Sequence, residues 1–112
     1  MTQRDKFITG RKGERIVAKR LGGHTTPHTA PFDVVDFRQS IAYEVKTIHG
    51  LSRSSVIHIT HEALQRKHDF MSAYGVETAY LVAVVIFDPG HIELYIGELK
   101  SHVRVANMRK LN

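Results

Sequence analysis

Between Thr78 and Phe87 the chain runs Thr-Ala-Tyr-Leu-Val-Ala-Val-Val-Ile-Phe. The run is apolar, rich in β-branched residues and free of charge. It is strand-sized, well short of the roughly 20 apolar residues that a membrane helix needs. It therefore predicts a buried strand. Asp88-Pro89-Gly90 is a turn signal, and His91 to Leu99 reads as the partner strand beyond it. Upstream, Phe32 to Phe37 and Ile41 to Thr47 are two more strand-like runs, and the short link Arg38-Gln39-Ser40 predicts a hairpin. Val56 to Ile59 predicts a short strand. Helices are expected from Gly10 to Leu21, with Thr9 as N-cap and Gly22-Gly23 as stop, and from a Thr60 cap to Tyr74, stopped by Gly75. His24 to Ala30 reads as a polar loop. The order α-β-β-β-α-β-β predicts an α/β fold, a mixed sheet flanked by helices. The 112 residues suit one domain, 1–112, with no internal repeat or linker.

Composition narrows the chemistry. The absence of cysteine excludes disulfides and Cys-based zinc sites. The charged N-terminus is followed by no apolar stretch of signal-peptide kind. The expectation is a soluble, intracellular (cytoplasmic) protein without a membrane partner. Sixteen Lys and Arg against 11 acids give a formal charge of +5 and a pI near 9.7, one footprint of nucleic-acid binding. The basic residues cluster: Arg4, Lys6, Arg11, Lys12, Arg15, Lys19 and Arg20 lie along the first helix region, Arg66 and Lys67 in the second helix, and Arg104, Arg109 and Lys110 near the end.

Three acids and two lysines stand out by position. On the first helix Gly10, Val17, Ala18 and Leu21 share a stripe, and Glu14 falls inside it. An inward carboxylate is costly unless paired, protonated or bound to a metal; the simpler reading is a partly exposed Glu or one paired with an Arg or Lys. In Tyr43-Glu44-Val45-Lys46-Thr47, strand alternation puts Glu44 and Lys46 on one face. Asp33, between Phe32 and Val34, lies in the preceding strand, with Asp36 as its substitute if the register shifts by an odd step. Asp and Glu on adjacent strands can share one Mg²⁺, which keeps several waters and completes its shell with substrate phosphate. A lysine beside it can orient the attacking water and stabilise charge on the phosphate. Taken alone, Glu-x-Lys is common and reads as a surface ion pair; the combination with Asp33 and Glu14 points to a site. On the second helix, Lys67 lies mid-arc among Ala63, Leu64, Phe70, Met71 and Tyr74. It calls for an anion, either an acid of the site or a phosphate, unless its head snorkels to water. Arg66 flanks the same arc. The eight histidines assemble no zinc motif: His24 and His28 sit in a loop, and His58 and His61 straddle a strand–helix junction.

Asp33 in Pro31-Phe32-Asp33, followed by Glu44-Val45-Lys46 and preceded by Glu14, resembles the signature of the PD-(D/E)XK superfamily, the restriction-endonuclease-like fold. Phe32 separates the Pro and Asp of that pattern. The layout resembles the minimal members, including archaeal Holliday-junction resolvases, over roughly residues 10–99. The resemblance implies a deoxyribonuclease using Mg²⁺ or Mn²⁺. Asp33 and Glu44 would hold the metal with Glu14 as third acid, Lys46 would act in catalysis, and Arg11, Lys12, Arg15, Arg66 and Lys67 would contact nucleic acid. DNA recognised by structure or strand end, and a homodimer for cutting two strands, follow as expectations. A looser resemblance joins Glu44-Val45-Lys46-Thr47, Ile57-His58-Ile59-Thr60, Leu64-Gln65-Arg66-Lys67 and Gly97. It is to a phage domain found at the C-terminus of Mu F-like minor head proteins. That implies a phage origin, action in a phage-infected cell, and the alternative of a non-catalytic nucleic-acid-binding or virion-assembly module. A metal-independent ribonuclease would need a His-centred site.

Overall fold

The computed structural model describes residues 3–27, 29–50 and 55–111. The fold is mixed α/β. Helix α1 spans Gln3–Leu21 and α2 spans His61–Tyr74. The strands are β1 His24–Thr25, β2 Val34–Asp36, β3 Ile41–His49, β4 Val56–His58, β5 Thr78–Asp88, β6 His91–Glu98, β7 His102–Arg104 and β8 Arg109–Lys110. Six strands form one sheet in the order β1-β2-β3-β5-β6-β8, and β4 pairs with β7 in a separate two-stranded ribbon. Among the described residues no helix is long and apolar enough to cross a membrane.

The apolar run Thr78 to Phe87 is the centre of the sheet. β5 pairs in parallel with β3 and antiparallel with β6. Its residues Leu81 to Val85 are wholly buried. They alternate between two cores, as strand geometry requires. Val82, Val84 and Ile86 pack with Val17 of α1, Tyr43, Val45 and Leu94. Leu81 and Ala83 pack on the opposite face with Ile57, Ile59, Val103, Val105 and Met108. A parallel neighbour demands a crossover, and α2 supplies it. Thr60 caps α2 by accepting from the Ala63 N–H at 3.1 Å. Gly75 ends it at φ 68°, a left-handed conformation that glycine adopts at little cost.

Several boundaries differ from the sequence reading. α1 continues through Thr9 to Gln3, so Thr9 lies inside the helix and does not cap it. The described side chains of α1 begin at Arg11, which leaves those of Arg4 and Lys6 outside the described residues, as His28 is. The third expected strand, β4, does not join the main sheet. Its partner β7, with β1 and β8, comprises only two or three residues, too few for a legible alternation. Gly13 lets α1 approach β3 closely: a Cβ there would lie 2.1 Å from Thr47 Oγ1.

Candidate functional site

The hairpin register decides where the acids go. Val34 pairs with Tyr43, and Asp36 with Ile41, across antiparallel β2 and β3. One further step places Asp33 opposite Glu44. Asp33 itself precedes β2, in a bend, where its N–H donates to Tyr43 O at 3.1 Å. Its Oδ2 accepts the Val45 N–H at 2.8 Å, so the carboxylate is pinned to β3. Asp36 has a different role. Its carboxylate accepts the N–H groups of Arg38 and Gln39 at 3.1 and 3.2 Å and the Gln39 side-chain amide at 2.9 Å. It closes the hairpin turn and is no substitute for Asp33.

Glu44 is buried, and it is held by two lysines. Lys67 Nζ lies 2.9 Å from its Oε2 and Lys46 Nζ 3.4 Å from its Oε1. Lys67 does not snorkel: the residue is 6% exposed. It also donates to the Pro31 carbonyl, and its ammonium sits 5.2 Å from the centroid of the buried Phe32 ring. The acid that the sequence left open for Lys67 is Glu44. Lys46 is half-exposed, its head free to meet a ligand from solvent.

Glu14 reaches the same place from α1. It lies within hydrogen-bonding reach of the Asp33 carboxyl, and Arg11 pairs with it at 2.7 Å. Arg11 also donates to Thr26 O at 3.0 Å, so its guanidinium is committed inside the protein. Burial pushes the Asp33 carboxyl from its ordinary range up to about 7, reinforced by the charges of Glu44 and Glu14 and opposed by the Val45 N–H bond. Pro31, Asp33, Glu44, Arg66 and Lys67 line one cleft of about 470 Å³ together with Thr29, Ala30 and Ala63. Lys46, paired with Glu44, lines a second depression of about 390 Å³ with Ile48 and His58. Lys12 and Arg15 are exposed on α1.

Comparison with models of known protein families and with curated proteins finds no match. The reading of the site therefore rests on its own chemistry. Among the described residues, no three His, Cys, Asp or Glu side chains stand close enough to hold one ion between them. Two carboxylates suffice for Mg²⁺ when water and phosphate complete the shell. Asp33 and Glu44 fit such an ion by donor type. Burial first and the Glu44 charge second raise Asp33, and a divalent cation would offset both. The sequence reading found Asp33, Glu44, Lys46, Glu14 and Lys67. It missed the backbone partners, Val45 N–H and Pro31 O, and the internal commitment of Arg11. No residue-type signal marks a main-chain contact.

Proposed function

We propose that the chain is a metal-dependent nuclease of the PD-(D/E)XK kind, acting on DNA in the cytoplasm or in a phage-infected cell. The observation that carries this reading is that Asp33, Glu44 and Lys67 line one cleft, with Lys46 paired to Glu44 and Glu14 beside Asp33. The helix α1, the hairpin β2–β3 and the parallel β5 reached through α2 follow part of the α-β-β-β-α-β layout of the minimal members, while the third expected strand, β4, lies outside the main sheet. Asp33 and Glu44 would hold Mg²⁺ or Mn²⁺, which supplies Lewis acidity and a more acidic bound water. Lys46 places a positive charge where charge develops on the scissile phosphate. Lys67 fixes the Glu44 carboxylate and offsets its charge. Glu14 stands beside Asp33 as a third acid. Arg66, Lys12 and Arg15 contact the phosphate backbone. So small a domain offers little surface for reading base edges, so recognition follows strand ends or branched structure, with phosphate contacts setting position. A homodimer would supply two sites for cutting two strands.

One observation favours a second reading, a non-catalytic nucleic-acid-binding or virion-assembly module: both Glu44 oxygens already face lysines. Incubation with linear, circular, branched and single-stranded DNA and with RNA, in Mg²⁺, Mn²⁺ or EDTA, separates the two. The nuclease reading expects products with Mg²⁺ or Mn²⁺ and none in EDTA. Binding without cleavage in either metal supports the module.

A further inference from the structure

The β4–β7 ribbon carries chemistry that the carboxylate cleft does not use. His58 and His102 are direct partners across the two antiparallel strands. Both are exposed, on the outer face of the ribbon, while Ile57 and Val103 between and beside them turn inward. Their rings lie 4.6 Å apart between centroids and at 84° to each other. With metal–nitrogen bonds of about 2.0–2.1 Å, two imidazoles in adjacent positions on one ion hold their centroids roughly 4.5–5 Å apart. The observed separation falls within that range.

The platform under the pair is anchored by packing and by main-chain bonds at both ends. Ile57 and Val103 are buried in the core beneath α2. Ile59 N–H donates to Ser101 O at 2.9 Å, and Val105 N–H to Ser55 O at 3.0 Å, one at each end of the ribbon. Ser101 Oγ lies 3.1 Å from His102 Nδ1, an outer partner that orients the ring and leaves Nε2 for another bond. The same face presents Arg104, two positions from His102, and no carboxylate joins the pair: among the described residues no third His, Cys, Asp or Glu completes a set. A donor set of two imidazoles with no oxygen acid discriminates against Mg²⁺, Mn²⁺ and Ca²⁺, and suits Zn²⁺, Ni²⁺ and Cu²⁺.

We propose that His58 and His102 form a two-imidazole clamp for a late first-row transition ion, Zn²⁺ or Cu²⁺, with water in the remaining positions. This site shares no lining residue with the Asp33–Glu44 cleft, although His58 shares a depression with Lys46; it differs from the cleft in metal preference, and it stands whether or not the chain is a nuclease.

The test is titration of the full chain with Zn²⁺ and with Cu²⁺ in excess Mg²⁺, which fills oxygen sites. Calorimetry and the imidazole proton signals report binding. The proposal expects one equivalent bound, Cu²⁺ tighter than Zn²⁺, and the His58 and His102 signals moving together. His58→Ala and His102→Ala should each weaken binding at least about tenfold. His91→Ala should leave it unchanged. Zn²⁺ should raise the Tm of the wild type and of His91→Ala, and not of the two clamp variants, whose Tm without metal reports that they fold. Equal affinity in His58→Ala and the wild type, or loss of binding in His91→Ala alone, overturns the clamp, as does a wild type that binds neither ion.

Discussion

Replacing Asp33 by Asn tests whether this position is strained for function. Ionised Asp33 is disfavoured by burial and by Glu44 and Glu14, which raise its carboxyl from 3.8 to about 7 in the folded chain. A group whose folded value is raised contributes stability that is fully present below the unfolded value and lost as pH rises through the folded one. Asp33 therefore stabilises the fold below about pH 4, and that contribution disappears between pH 4 and 7. Three units at ~1.4 kcal/mol each set a ceiling of roughly 4 kcal/mol. Relaxation and water bring the expected penalty down to about 1–3 kcal/mol. An Asn can keep the bond from Val45 N–H through its oxygen and turn its NH₂ towards Glu14. At pH 8 the variant should be more stable than the wild type by that amount, a Tm rise on the order of 5–10 °C. The gap should close towards pH 4. Mg²⁺ should raise the Tm of the wild type and not of the variant, and cleavage should be lost. Paired thermal melts from pH 4 to 8 read the effect. A variant less stable at pH 8, or a difference that does not vary with pH, refutes the reasoning.

Lys67→Met leaves Glu44 buried with only the half-exposed Lys46 beside it; breaking a buried pair from one side costs about 3–5 kcal/mol, and chemical denaturation should show a loss approaching that range, most of it recovered in Glu44→Gln/Lys67→Met. Gly13→Ala drives a methyl to 2.1 Å from Thr47 Oγ1; overpacking of this kind costs about 1–3 kcal/mol. Thr47→Ala in the same chain should restore most of it, because Thr47 Oγ1 has no hydrogen-bond partner to lose among the described residues. Equal denaturation midpoints for Gly13→Ala with and without Thr47→Ala would place the strain elsewhere.

Where alternation or period was long enough, the sequence was legible. The eleven residues of β5, the Ile41 to Thr47 strand and the capped α2 all declared themselves. So did the outward logic of the site, because Glu44 and Lys46 share a face by strand parity and Glu14 and Lys67 break apolar stripes. The short strands β1, β7 and β8 did not, since two or three residues are shaped by their partners and not by their own pattern. The start of α1 was misplaced because Gly10 and Thr9 imitate a boundary while the helix runs on to Gln3. Asp33 against Asp36 turned on register, which tertiary pairing sets: Val34 meets Tyr43, so Asp33 faces the cleft while Asp36 ties the turn. The partner of Lys67 also needed three dimensions, because Glu44 lies 23 positions away in sequence.

The proposed nuclease activity depends on Lys46 acting on the reacting phosphate. Its most direct test is single-turnover cleavage of end-labelled DNA in Mg²⁺ by the wild type and by Lys46→Ala, with DNA affinity measured in parallel in Ca²⁺. Lys46 is half-exposed and its pair with Glu44 is long at 3.4 Å, so the variant should fold. Removing one charge that stabilises the transition state costs roughly 10²–10³-fold in rate. The expected outcome is a loss of that size with affinity little changed, and no cleavage by either protein in EDTA. Cleavage by Lys46→Ala at the wild-type rate, or cleavage that persists in EDTA, would contradict it.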